Sequence, residues 1–280
     1  MDGVRLGDEI IAELRNVVEA AGTPPVCLGT VLVGDDRPGL SNVRIKHRKA
    51  EQAAMTSRSV VLPPTASQAR VEESVAELVA DPVVHGVFVQ LPLPDPLQPE
   101  PVLDLVPQEK DVDGLSALSM GRLVRGRPGH GPGTPLGVLR LLARYGVPTA
   151  GSRVVIVGRS TLVALPLALL LARKGTDATV TIAHRGTAEL VDVCREADIL
   201  VGATGEPRMI TAAHVRPGAT VIDVGVSRTD AGIGGDVDFE SVQSVAGAIT
   251  PMPGGTGPMT VACLLENTLE AARWQGAFPP

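Results

Sequence analysis

Gly86-Val87-Phe88-Val89-Gln90-Leu91-Pro92-Leu93-Pro94 runs from an apolar strand onto an amide and leaves through two prolines. A short apolar run bounded by turn residues reads as a strand buried on both faces, the kind found in a parallel sheet. The residues before it repeat one pattern. Leu6, Ile10, Ile11, Leu14, Val17 and Val18 recur at helical spacing, and Pro24-Pro25 ends the connection that follows. Cys27 to Val33 is a short apolar strand, and Gly34 to Gly39 is a turn. Ser41 is a candidate N-cap for a helix running to about Ala54. A strand at Arg58 to Leu62 comes next, then an amphipathic helix marked by Val71, Val75, Leu78 and Val79. This β-α-β-α-β alternation predicts a parallel sheet with helical crossovers.

Beyond the prolines, Lys110-Asp111-Val112-Asp113-Gly114 is followed by Gly121 to Gly133, which reads as a surface loop rich in Gly, Pro and Arg. Thr134 and Pro135 suit the N-cap and first turn of a helix reaching Tyr145. The alternation then restarts: strand Val154 to Val157, helix Leu165 to Arg173, and strands at Ala178 to Ala183, Ile199 to Ala203 and Thr220 to Val224. A doubly wound dinucleotide-binding domain is expected here. Gly254 to Pro258 reads as a tight loop, and Met259 to Trp274 as a last helix returning to the first domain. The expected fold is therefore α/β in two domains. Residues 1–137 with 256–280 form an N-terminal catalytic domain, and 138–255 form a Rossmann-like one.

Composition narrows the class. At 280 residues the chain can bury two cores, and a net charge of -6 argues against affinity for nucleic acid or anionic membrane. No apolar run is long enough to span a bilayer, and the first residues lack a signal-peptide layout. Three dispersed cysteines, Cys27, Cys194 and Cys263, suit reduced core residues of a cytoplasmic protein. The five histidines show no ligand spacing, so no metal is expected. With five aromatic residues in all, a site for a flat ring must rely on aliphatic walls and hydrogen bonds.

Two sets of residues carry chemistry. In the second domain, Gly158-Arg159-Ser160 lies between a strand and a helix whose N-terminus suits a pyrophosphate. Ser160 and Ala164 stand where the usual three-glycine fingerprint would have glycines. The next strand ends in His184-Arg185 with no carboxylate before Glu189, so Arg159 and Arg185 favour the 2′-phosphate of NADP over a bare ribose. Two solvated loop arginines are the plain alternative. In the first domain, Asn42 and Lys46 are one helical turn apart and share a face, while Gln90 ends a central strand. Taken singly, each of Lys46, Gln90 and Asp113 has an ordinary structural explanation; together they suit one polar ligand.

These residues resemble the bifunctional methylenetetrahydrofolate dehydrogenase/methenyltetrahydrofolate cyclohydrolase family (the FolD type). The resemblance runs through Val33 to Asp36, Val89 to Pro94, Glu109 to Gly114, Thr134-Pro135, Gly158 to Ser160, Ile222 to Gly225, Gly235 to Val237 and Pro253 to Thr260. It implies NADP-dependent oxidation of 5,10-methylenetetrahydrofolate and hydrolysis of the methenyl product to 10-formyltetrahydrofolate. By the same resemblance Lys46, Gln90 and Asp113 are catalytic, with Gln90 tuning the lysine and Asp113 anchoring the pterin. Asn42, Pro92, Gly255 and Pro258 contact the folate, and Gly158, Arg159, Ser160, His184, Arg185, Thr204 and Val226 hold NADP. A homodimer joined through the nucleotide domain is also implied.

The chain departs from that family at several places. Asn42 stands where a tyrosine is usual, Gly39 where a serine is, and Gly133 where a cysteine is. Thr256, Ala164 and the stretch Ser116 to Ser119 also differ. Three other readings therefore stand beside the bifunctional one. They are a divergent paralogue with dehydrogenase activity alone or a modified pterin, a non-catalytic NADP-binding protein, and an NADP-dependent dehydrogenase for another small molecule.

Overall fold

The computed structural model describes residues 1–22, 26–229 and 232–279, so the Pro24-Pro25 turn lies outside the described residues. The chain forms two compact units: Asp8–Pro132 with Val261–Pro280, and Met1–Gly7 with Gly133–Thr260. These divisions fall about five residues from the sequence-based ones at 137/138 and 255/256. The short N-terminal segment also joins the nucleotide-type unit, where the Met1 amino group donates to the Ile249 carbonyl at 2.5 Å.

In the first unit, helix α1 (Gly3–Ala21) precedes strand β1 (Cys27–Val33), helix α2 (Arg37–Gln52), strand β2 (Thr56–Leu62), helix α3 (Gln68–Ala80) and strand β3 (Gly86–Val89). The sheet order is β2-β1-β3, all parallel. β1 is buried along its whole length, which explains its unbroken apolar run. The edge strand β2 is mostly exposed. Ser41 is not the cap of α2. Asp36 is, its carboxylate accepting from the Gly39 amide at 2.8 Å, with proline in the first turn where no amide is needed.

The chain then passes through helix α4 (Pro99–Leu103) and helix α5 (Ala117–Val124). α5 occupies the start of the stretch expected as a loop, because Ser116 caps it by accepting from the Ser119 amide. The KDVDG segment divides its labour. Lys110 is nearly buried and donates to the carbonyls of Val79 and Asp81, both at 2.9 Å, closing the C-terminal end of α3. The Asp111 carboxylate holds the amides of Leu115 and Ser116. Gly114 has φ +65°, and a Cβ there would sit 2.7 Å from the His130 carbonyl oxygen.

The second unit opens with helix α6 (Gly133–Arg144), whose first turn includes Thr134 instead of being capped by it. Strand β4 (Arg153–Val157), helix α7 (Ala164–Ala172), strand β5 (Thr179–Ala183), helix α8 (Leu190–Arg195) and strand β6 (Ile199–Gly202) follow. Then come strand β7 (Thr220–Asp223), a small hairpin of β8 (Ser227–Thr229) and β9 (Gly232–Gly234), helix α9 (Phe239–Val242) and strand β10 (Ala248–Ile249). The main sheet is parallel in the order β10-β7-β6-β4-β5, with β4 between β6 and β5. Helix α10 (Thr256–Trp274) starts three residues earlier than the pattern suggested, so part of the expected glycine loop is its first turn.

Replacing Lys110 with Met removes two charge-assisted hydrogen bonds and leaves two helix-end carbonyls without donors. It should lower stability by about 1.5–3 kcal/mol, seen as an earlier urea midpoint. An unchanged midpoint would show that water satisfies those carbonyls equally well.

Candidate active site

Lys46 is the most unusual polar side chain of the first unit, a nearly buried amine. Capping by Asp36 sets the phase of α2, and that phase turns Lys46 inward until only 8% of it is exposed. Its Nζ donates to Gln90 Oε1 at 3.1 Å and lies 4.0 Å from the centroid of the Phe88 ring. Gln90 Nε2 donates to the Leu91 carbonyl at 2.6 Å, which fixes the amide with its oxygen toward the lysine. The Gln90 main-chain amide donates to Val31 O at 2.8 Å, so the residue is held by the sheet even though it lies just past β3.

Burial pulls the Lys46 ammonium down from an ordinary 10.5 to about 8, against the opposing charge of Asp113. The Phe88 ring leans the same way as Asp113, since its face favours a cation. Burial raises the Asp113 carboxyl to about 7; Lys46 opposes that rise and Asp111 adds to it. Two groups that titrate near neutrality and sense each other can hold, release or share a proton.

Beside them is a cavity of about 320 Å³. Gln90, Asn42 and Pro92 line it, together with Gly34, Asp35 and the prolines Pro38, Pro64 and Pro94. No aromatic ring lines it among the described residues. Its walls are two amides, the carboxylates of Asp35 and Asp36, prolines and aliphatic side chains, as the scarcity of aromatic residues foretold. Phe88 escaped the sequence reading as a site residue. The signal was present: it is two residues before Gln90, and alternate residues of a strand share a face.

In the second unit the predicted nucleotide residues lie just past the C-terminal ends of β4, β5, β6 and β7. Gly158 has φ +147°, and a Cβ there would run into the Ala203 carbonyl, so only glycine allows this approach. Ser160 Oγ accepts from the amides of Val163 and Ala164, both at 3.3 Å, at the start of α7. His184 turns its Nδ1 to the Gly186 amide at 3.1 Å. Arg159 is exposed. Arg185 is 82% exposed and pairs with Glu206 at 3.1 Å on the loop after β6. In that loop the Thr204 amide donates to the Asp236 carboxylate; Val226, just past β7, is largely exposed. A close-approach glycine, two arginines and no carboxylate at the end of β5 fit a nucleotide carrying an extra phosphate.

Gly255 and Pro258 also belong to this unit, around the start of α10. A Cβ on Gly255 would lie 2.6 Å from the Pro251 carbonyl oxygen.

Comparison with known proteins agrees with both halves. Residues 1–113 match the family model "Tetrahydrofolate dehydrogenase/cyclohydrolase, catalytic domain", and residues 132–276 match "Tetrahydrofolate dehydrogenase/cyclohydrolase, NAD(P)-binding domain". The chain is similar to the bifunctional protein FolD of Rhodopirellula baltica, with 45% identity over 99% of this chain and 98% of that one. It is also similar to bifunctional protein FolD 2 of Frankia alni, at 47% identity over 98% and 95%. Among solved structures, the bifunctional FolD of Campylobacter jejuni superposes with a TM-score of 0.93 at 37% identity, covering 98% of each chain. The Trypanosoma brucei methylenetetrahydrofolate dehydrogenase-cyclohydrolase, solved with NADP cofactor and an inhibitor, gives 0.93 at 35% identity, covering 99% of this chain and 97% of that one. Both units and the whole length agree: this chain belongs to the tetrahydrofolate dehydrogenase/cyclohydrolase family.

Proposed function

We infer that this chain is a bifunctional enzyme that oxidises 5,10-methylenetetrahydrofolate with NADP and hydrolyses the resulting 5,10-methenyltetrahydrofolate to 10-formyltetrahydrofolate. The observation that carries this reading is the buried Lys46–Gln90 hydrogen bond, coupled to Asp113 in the unit that matches the catalytic domain.

Bound NADP supplies the hydride acceptor. The side chains have other work. Lys46, near its titration midpoint at slightly alkaline pH, takes one proton of the water that adds to the methenyl carbon, and the water's other proton passes to the ring nitrogen N5 as its bond to that carbon breaks. Gln90 fixes the amine's direction, and Phe88 makes its protonated state tolerable. Asp113, able to accept or donate, anchors the polar edge of the pterin. Asn42 and Pro92 line the cavity that takes the folate; Gly255 and Pro258, in the second unit, are assigned to folate contact by the family resemblance alone. Gly158, Arg159, Ser160, His184, Arg185, Thr204 and Val226 form the nucleotide site, with the arginines reading the 2′-phosphate.

Two further features belong to this reading. A homodimer joined through the nucleotide unit is supported by exposed Ile182 on edge strand β5 and by exposed Ile233 in the hairpin. A cytoplasmic setting is supported by three buried cysteines that lie far apart in the sequence. Among the described residues no helix is long and apolar enough to cross a membrane.

An assay of both activities with each nucleotide tests the whole reading. Lys46→Ala should slow hydrolysis of methenyltetrahydrofolate on the order of 10²–10⁴-fold; turnover like the wild type would remove Lys46 from the mechanism. Hydrolysis should also rise with pH through about 8 as the amine loses its proton. The Asp113 carboxylate supports the ammonium, so Asp113→Asn should move that rise to lower pH. A flat profile between pH 6.5 and 9 would argue against an amine base. For the nucleotide, Arg185→Ala should weaken NADP binding several-fold and NAD binding little; equal losses would show that Arg185 does not read the extra phosphate.

A further inference from the structure

Asp236 takes no part in the reaction just described, yet it is the more unusual carboxylate of the second unit. It is fully buried. One oxygen, Oδ2, accepts from the amides of Thr204 and Gly205, the latter at 3.1 Å. The other, Oδ1, has no hydrogen-bond partner among the described residues. It lies against the backbone of Gly225, where any Cβ would collide with it. Burying a carboxylate and leaving half of it without a donor is costly, so its partners on the other half matter. Those partners are not in the core. They are the first residues of the loop leaving β6.

A second carboxylate holds Asp236 itself. Asp223, at the end of β7, accepts from the amides of Gly225 and Asp236 at 3.0 Å each and of Val237 at 3.1 Å. The Asp236 carbonyl accepts from the Ile210 amide at 2.9 Å. The bonds thus run in series from β7 through Asp223 to the backbone of Asp236, and from its side chain to Thr204 and Gly205. The next residue, Glu206, pairs with Arg185 at the end of β5. In parallel α/β sheets a nucleotide rests on these carboxyl ends.

We propose that Asp236 is a positioning residue for the nucleotide, setting the β6 exit loop at the height at which Thr204 and Arg185 meet the cofactor. The proposal rests on the assignment of NADP to this edge of the sheet. It has a consequence that a general role in stability lacks. Nucleotide affinity depends on the brace, whereas methenyltetrahydrofolate hydrolysis, which consumes no hydride and relies on Lys46 in the other unit, does not.

The test compares Asp236→Ala and Asp236→Asn with the wild type. NADPH dissociation constants are read by fluorescence, together with KM for NADP, dehydrogenase kcat, and hydrolysis of methenyltetrahydrofolate without nucleotide. The alanine variant should weaken NADPH binding and raise KM for NADP tenfold or more, with hydrolysis within twofold of wild type. The asparagine variant keeps one oxygen for the loop amides and should lose about threefold in NADPH affinity, so it decides the matter if the alanine variant does not fold. Wild-type NADPH affinity in a folded variant overturns the proposal, as does a parallel fall in binding and hydrolysis. If the wild type binds NADPH but turns over no folate, the proposed activity fails while the binding comparison still tests Asp236. If the wild type does not bind NADPH, the proposal falls with the nucleotide assignment.

Discussion

The polar cluster of the first unit is organised around keeping one ammonium group out of water. A charged amine resists burial, and here it is repaid by an amide oxygen, an aromatic face and a nearby carboxyl group. None of the three compensates fully. The remainder appears as a lysine that gives up its proton near pH 8, when an exposed one would hold it beyond pH 10. Full compensation would leave a fixed cation, and none would leave a neutral amine. The intermediate state suits a group that must exchange protons with water.

The support for that lysine is arranged in layers. Phe88 and Gln90 come from one strand and its exit, Lys46 from one helix, and Asp113 from a segment whose other residues secure the turn. Lys110 and Asp111 hold helix ends and loop amides, which leaves Asp113 available to the site. The second unit uses acids differently. Asp223 and Asp236 bind backbone amides and brace loops, and Asp223 is raised to about 6 by burial despite those amides.

Much of this was legible in the residues. The repeated strand-helix pattern predicted two parallel sheets, and several strands, including Cys27 to Val33, occur where the apolar runs placed them. Lys46, Gln90 and Asp113 stood out through the company they keep. The errors were local. Ser41 looked like a cap but Asp36 won, because a carboxylate five residues earlier reached the Gly39 amide and a proline began the helix. The stretch after Gly121 looked like loop, but Ser116 had already started a helix.

By itself the sequence determined the fold class and the absence of a carboxylate at the end of β5, and it singled out two sets of candidate residues, since all of these follow from local order and spacing. Tertiary structure alone decided which groups touch. Lys46 meets Gln90 across 44 residues and Asp236 reaches Thr204 across 32. Burial shifts the titration of Lys46 and Asp113, and it comes from side chains supplied by distant elements. The reason is physical: proton affinity and hydrogen-bond strength depend on how much water the packed neighbours exclude, and no stretch of chain encodes that alone.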